Sequence, residues 1–407
     1  MSPTVAQGIT LHWQAREGRL QFALLRSALI VAAALSASSA APQPPDPVAD
    51  PIADLIETRD PPSAATKPTG AFATYIDGLS KASCPVGVKP EDPLAITLNA
   101  KPISLQAINP GRKTVGALTF AGGFHLTSDD ASFGGWSGLG VLDDGHLLAV
   151  SDDGRFLWID LAEDAVTPTG ARMSEMRDTN GKPFPTKVAG DAEDVALFNG
   201  LALVSFEGDA RVMTYDVTRC GAAARAAPVG WKFASAFKAN GLSIKPNLGV
   251  EGLAITDDGF LIAGLETQVG GESPISIRPL EAKPDFKFRI GKKSPELVGL
   301  DAITDGDTAR LFSLHRSSQA PLSSNAITLI ETVFTRDANP SGKRADQAFT
   351  LKQSLILAEM NLLLTIDNYE GIAARRLPDG RIRLYVISDN NFASRQRTLL
   401  MAFDIAK

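Results

Sequence analysis

From about residue 114 onward, short apolar runs are broken by Asp-Gly or Asn-Gly pairs, and the runs come in matched sets. One set is Val250-Glu251-Gly252-Leu253-Ala254-Ile255, then Asp258-Gly259, then Phe260 to Leu265 and Glu266. A second is Tyr369-Glu370-Gly371-Ile372-Ala373, then Asp379-Gly380, then Ile382 to Ser388 and Asp389. A third runs from Ala192-Glu193-Asp194-Val195 through Asn199-Gly200 to Phe206-Glu207, and a fourth from Trp136-Ser137-Gly138-Leu139 through Asp144-Gly145 to Ser151-Asp152-Asp153. A weaker fifth has Val298-Gly299-Leu300-Asp301, Asp305-Gly306 and Arg310 to His315-Arg316.

Each set has one physical grammar. A short strand begins at a polar residue. The Asp-Gly or Asn-Gly pair supplies the positive φ values of a tight hairpin turn. A second apolar strand follows and ends in a polar residue, and in several copies a third strand comes next, such as Arg155 to Asp160 and Arg211 to Asp216. The copies start about 50 to 70 residues apart, room for a four-stranded blade with its loops, so the pattern predicts an all-β fold, a β-propeller. Five copies are visible. The stretch between Arg316 and Asp367 is long enough for a sixth, degenerate blade, so six blades are expected, with five and seven as alternatives. The strand pattern from Thr114 to Leu126 is expected to pair with Thr398 to Ile405 and close the ring, which removes exposed sheet edges.

The chain before the repeat divides in three. Residues 1–40 read as a signal peptide: Arg16, Arg19 and Arg26 precede the apolar run Ser27 to Ala37, and Ser38-Ser39-Ala40 offers small residues for cleavage. An uncleaved anchoring helix is the alternative. Residues 41–68, rich in Pro, Ala, Asp and Thr, read as a disordered tether. Residues 69–113 form a pre-propeller segment, and 114–407 the propeller. No later run reaches the length of a membrane span, so a protein without stable membrane insertion after cleavage, periplasmic or secreted, is expected.

Composition narrows the function. The 407 residues carry 40 Lys+Arg against 46 Asp+Glu, a net charge of -6, which argues against a nucleic-acid partner. Four histidines and two cysteines exclude a cysteine-based zinc site and chemistry that needs a histidine cluster. In an oxidising compartment Cys84 and Cys220 either pair as one disulfide or lie separately buried. There is no Gly-x-Ser-x-Gly, His-Glu-x-x-His or phosphate-binding Gly-rich loop.

The repeat concentrates acids at two equivalent places. Glu193, Glu251 and Glu370 begin first strands; Asp152, Asp153, Glu207, Glu266 and Asp389 end second strands. The start of one strand and the end of its antiparallel partner share an edge, so both sets should gather at one rim. Converging carboxylates repel unless a cation joins them. Calcium, which takes six to eight oxygens, is the natural candidate cofactor. Glu193, Glu251, Glu370, Asp152, Glu266 and Asp389 are the candidate metal ligands, and Asn390 and Asn391 could add amide oxygens. The bland alternative is that these acids cap strand ends. His315 and Arg316 interrupt the acidic ring and are the catalytic candidates, either pairing with the carboxylates or holding a substrate anion. His125, just before Asp129-Asp130, reads as a general base or a strand-end residue, and His146 as a solvated one.

The ordered set Glu251-Gly252-Leu253-Ala254, Asp257-Asp258-Gly259 and Leu265-Glu266, with Asn368-Tyr369-Glu370-Gly371-Ile372 and Ile387-Ser388-Asp389-Asn390-Asn391, resembles the phytase-like family, also described as "esterase-like activity of phytase". The resemblance covers roughly Val115 to Lys407. It implies a secreted or periplasmic β-propeller with a hydrolase label, and brings no set of catalytic residues. The fifth copy departs from it by lacking the Glu. The expectation is a metal-assisted hydrolase of a phosphate ester or other small ester acting at the acidic rim. The alternatives are a non-catalytic ligand- or partner-binding propeller and a lactonase-like metal-dependent enzyme. A charged fraction of only 21% argues against a substrate as highly charged as phytate.

Overall fold

The computed structural model describes residues 67–243, 249–317 and 326–405. The expected signal peptide, and the tether up to residue 66, lie outside the described residues. The described chain is a β-propeller of five blades. Blade 1 has strands Trp136–Val141, Leu147–Ser151, Arg155–Leu161 and Pro168–Glu175; blade 2 has Ala192–Phe198, Leu201–Phe206, Arg211–Tyr215 and Ala227–Pro228. Blade 3 has Val250–Ile255, Phe260–Leu265, Ser273–Pro279 and Phe288–Ile290; blade 4 has Glu296–Asp305, Thr308–Arg316, Ile327–Arg336 and Phe349–Met360. Blade 5 takes Tyr369–Arg376, Ile382–Ser388 and Thr398–Ile405 from the C-terminal end and Leu118–Thr127 from before blade 1. The antiparallel pairing of Thr398–Ile405 with Leu118–Thr127, Thr398 opposite Leu126, closes the ring.

The expected sixth blade is corrected to five. The residues between Arg316 and Asp367 that could have built it instead complete blade 4. Ile327–Arg336 and Phe349–Met360 are strands of 10 and 12 residues; the first pairs with Thr308–Arg316 and the second with the first. Long strands, rather than an extra sheet, account for the wide spacing between the copies that start at Val298 and Tyr369.

The first strand of each blade touches the first strands of the blades on either side, and the cycle closes from blade 5 to blade 1. Five strands around one axis leave little room at the centre, and this explains the repeated glycine. A Cβ on Gly138 would lie 2.5 Å from Cα of Asp194, and one on Gly299 would lie 2.4 Å from the carbonyl oxygen of Glu370. Carboxylates tie the centre together. Asp194 is fully buried; its Oδ2 accepts from the backbone N–H of Leu253 in blade 3, at 2.8 Å, and of Leu300 in blade 4, at 3.1 Å. Asp301 likewise accepts from Ala374 N–H of blade 5 at 2.7 Å. Apolar side chains fill five clusters, one in each interface between neighbouring blades.

The segment before the ring is built onto it. Leu94–Ile96 pairs with the outer strand of blade 1 and Asn99–Pro102 with the outer strand of blade 5, which covers two sheet edges. Helix α1 (Gly70–Ser83) buries Phe72, Ile76, Leu79 and Ser83, the one-sided spacing of an amphipathic helix, against blades 2 and 3. Cys84 follows it and is joined to Cys220 by a disulfide, with Cα atoms 5.7 Å apart. A cross-link over 136 residues stabilises by about 4–5 kcal/mol in the chain-entropy account.

Candidate functional site

The innermost strand of each blade carries the same irregularity near its start. Pairing with the second strand slips between Trp136 and Gly138, Val250 and Gly252, Leu297 and Gly299, and Tyr369 and Gly371. In blade 2 the slip sets Glu193 and Asp194 against Ser205. A bulge leaves a residue unpaired and re-aims its side chain. The residues so placed are Ser137, Glu193, Glu251, Val298 and Glu370, and all five line one cavity of about 220 Å³. Glu207, Glu266 and Arg316, at the ends of second strands in blades 2, 3 and 4, complete its wall.

Five carboxylates and one guanidinium therefore share a small, largely buried space. Burial, then the charges of Glu251 and Asp191, push Glu193 well above the usual carboxylate range. Burial and the charges of Glu266, Glu207 and Glu370 do the same to Glu251. Burial and Asp191 raise Glu207 to about 7. Glu266 is raised by burial against the opposing effect of Arg316. Glu370 is raised by burial to about 7, even though Arg316 pulls it down. Arg316 Nη2 sits 3.1 Å from Glu370 Oε1, and Asn368 Nδ2 donates to the same oxygen at 2.8 Å. Without a further cation, the cavity favours keeping protons.

Four of the six residues expected as metal ligands, Glu193, Glu251, Glu266 and Glu370, line this cavity. Asp152 and Asp389 stand beside it and do not line it. Asp152 is drawn to Lys187, whose Nζ lies 2.7 Å from Oδ2. Asp389 accepts the backbone N–H of Asn391 at 2.7 Å, and burial raises it to about 6. Both still act on Glu370 through their charge. Of the two catalytic candidates only Arg316 reaches the cavity. The expectation for His315 is corrected: its side chain is fully buried, with Nδ1 3.1 Å from the Pro295 carbonyl oxygen and Nε2 3.0 Å from Ser313 Oγ. Burial lowers its pKa to about 4, so it is a neutral packing residue with both ring nitrogens engaged.

The tightest group of acids includes two residues outside the expected ligand set. One oxygen each of Asp191, Glu193 and Glu207 lies within 4.8 Å of the others. Two oxygens on one calcium lie at most about 5 Å apart, so this all-oxygen set fits a hard cation. Lys187 Nζ, 3.3 Å from Asp191 Oδ1, partly balances its charge. Asp191 was readable from the repeat two residues upstream of the Glu. The Glu207 N–H bonds to Asp191 and the Asp389 N–H to Asn368, so Asp191-Ala-Glu193 and Asn368-Tyr-Glu370 are equivalent. Asp194 fills the place where other copies carry Gly, and its bonds to Leu253 and Leu300 make it a strut.

A propeller with an acid-lined mouth is the class these features define. The chain belongs to the phytase-like family, "esterase-like activity of phytase", which matches residues 131–392. No curated protein matches it. Among solved structures it is similar to the PQQ-bound aldose sugar dehydrogenase of Streptomyces coelicolor, at 13% identity and a TM-score of 0.34, over 76% of this chain and 98% of that one. It is similar also to an endo-arabinase of Bacteroides thetaiotaomicron, at 9% identity and a TM-score of 0.39, over 68% of this chain and 96% of that one. A third is the glutaminyl cyclase of Myxococcus xanthus, at 13% identity and a TM-score of 0.32, over 78% and 100%.

Proposed function

We propose that the protein is a metal-assisted hydrolase of a phosphate ester or other small ester, with the propeller mouth as its site. The observation that carries this reading is the convergence of five carboxylates and Arg316 on one cavity. Asp191, Glu193 and Glu207 would hold the cation, calcium being the hard ion that suits an all-oxygen set, with Glu251 beside them. Such a cation, when bound, supplies Lewis-acid charge to a phosphoryl or carbonyl oxygen and lowers the pKa of bound water. Arg316, beside Glu370, offers guanidinium donors to the anionic part of a substrate. Glu370, at about 7, can hold a proton near neutral pH and deliver it to a leaving oxygen.

The test is Glu251→Gln, which removes a charge and keeps the shape. Calcium affinity, read by calorimetry on chelator-treated protein, should fall at least about tenfold, as should hydrolysis of p-nitrophenyl phosphate or acetate. Unaltered calcium binding with a lower melting temperature would instead make the ring a structural device. A second reading, a non-catalytic propeller that binds a small ligand or partner, is favoured by Lys187, which already compensates Asp152 and Asp191. Binding of calcium with no turnover of either ester decides for it.

The same proposal places the protein in the periplasm or outside the cell. The Cys84–Cys220 disulfide suits an oxidising compartment, and no helix among the described residues is long and apolar enough to cross a membrane. A mature chain beginning near Ala41 by mass spectrometry supports export with cleavage after Ala40; residues before Ser27 on the mature chain would exclude that cleavage.

A further inference from the structure

Phe392 stands out from the rest of the mouth in chemistry and in backbone. Its side chain is 47% exposed and belongs to none of the five apolar clusters. Its φ is 49°, directly after Asn391 at 47°. Asn tolerates the left-handed region; a bulky aromatic adopts it only where the surroundings impose it, and such outliers gather at ligand sites. Here the surroundings are two side chains of the same loop. Asp389 Oδ1 accepts the Asn391 N–H at 2.7 Å. Asn390 Oδ1 accepts the N–H of Phe392 at 3.0 Å and that of Gly135, across in blade 1, at 3.3 Å.

The seat for the ring is cut out of the neighbouring blade. A Cβ on Gly134 or on Gly135 would come within 3.0 Å of a Phe392 ring carbon. Gly135 lies two residues before Ser137, which walls the cavity, and Asp389, three residues before Phe392, acts on Glu370 through its charge. The aromatic ring thus lies between blades 5 and 1, outside the residues that line the cavity and against Gly134 and Gly135, just before Ser137 in its wall. A bare phosphate or a densely charged polyphosphate has no use for an exposed ring there. An ester with an apolar or aromatic group does.

We propose that Phe392 is a specificity-determining residue, the apolar wall against which the organic part of the substrate packs, so that the mouth selects esters carrying an aromatic or other apolar group. This rests on the reading of the mouth as the ligand site. The test compares pairs of probes that differ only in the ring. With calcium present, phenyl phosphate should bind wild-type protein about five- to tenfold more tightly than methyl phosphate. In chelator, benzylammonium should show a similar preference over methylammonium, because this pair needs only the carboxylates and the ring. Phe392→Ala should bring both ratios to about one, and Phe392→Tyr should keep them. Circular dichroism and melting curves establish that each variant is folded. If the phosphates fail to bind while the ammonium ratio depends on Phe392, the metal reading fails and the wall stands. Ratios unchanged in Phe392→Ala, or no preference for the ring by wild-type protein in either pair, overturn the proposal.

Discussion

Blade 2 and blade 4 bring the same backbone to the mouth and put opposite chemistry on it. In blade 2 the bulge presents Glu193 and the second strand is followed by Glu207; in blade 4 the same two places hold Val298 and Arg316. The bulge, with Asp194 beside it in blade 2 and Gly299 in blade 4, fixes where these side chains stand. Nothing in the backbone fixes what they are. A five-bladed ring is therefore a frame with ten addressable positions around one opening, and charge can be written on it blade by blade. Here blades 2 and 3 are wholly acidic, blade 4 supplies the one guanidinium, and Glu370 of blade 5 is caught between them by its bond to Arg316. Under the proposed function this asymmetry would give the mouth an acidic side for a cation and a guanidinium for an anion, which a uniform ring of acids could not offer.

The comparison breaks most severely at the frame. Gly299→Ala in blade 4 places a methyl group 2.4 Å from a backbone oxygen of blade 5, and backbone cannot swing aside as a side chain can. A loss of about 3 kcal/mol or more is expected, read as a lowered denaturation midpoint. Val298→Ala, one residue earlier at the bulge, should cost far less. Equal losses at the two positions would show that close packing of the inner strands is not what holds the ring.

Next in size is the charge written on blade 4. Arg316→Gln removes the guanidinium and leaves Glu370 buried with only Asn368 and Ser137 as partners. Affinity for inorganic phosphate in the presence of calcium should fall about ten- to a hundredfold, the worth of a charge-assisted contact. Affinity for calcium alone should hold or rise, because a repelling charge is gone. A parallel loss of calcium would mean that Arg316 only props the acids in place.

Much of this frame was legible in the sequence. The Asp-Gly and Asn-Gly turns, the Glu-Gly steps and the pairing of the last strand with Leu118–Thr127 follow from local turn chemistry and period-two patterning. The blade count was not, because strand length in blade 4 is set by packing against its neighbours, and a long hairpin spends residues as an extra blade would. At the site, Glu193, Glu251, Glu266 and Glu370 were readable as equivalent positions. Asp152 and Asp389 were equivalent too, yet Lys187 and the Asn391 N–H turn them to other partners, and those partners lie in a short helix and a loop with no repeat to follow. His315 misled for the opposite reason. A residue next to a rim arginine on a strand points to the other face, and there it is buried.

The smallest expected effect is also the one that reads the two halves of the mouth together. Glu207 and Glu370 stand at about 7 when folded against an ordinary 4.5, so between those pH values the folded protein binds more protons than the unfolded chain. Stability from this source is fully present below about pH 4.5 and is lost as pH rises through about 7. The melting temperature in chelator should therefore decline by several degrees across that window. Calcium that binds the deprotonated carboxylates removes the excess protons, so millimolar calcium should flatten the decline. In Arg316→Gln the charge that holds Glu370 down is absent, and the decline should extend to higher pH, whereas no such extension is expected for Phe392→Ala, which leaves every charge in place. A profile in which calcium changes nothing, in wild-type protein and variant alike, would mean that the crowded carboxylates are balanced by the protein itself, and the distinction between an acidic blade 2 and a cationic blade 4 would then serve folding rather than a ligand.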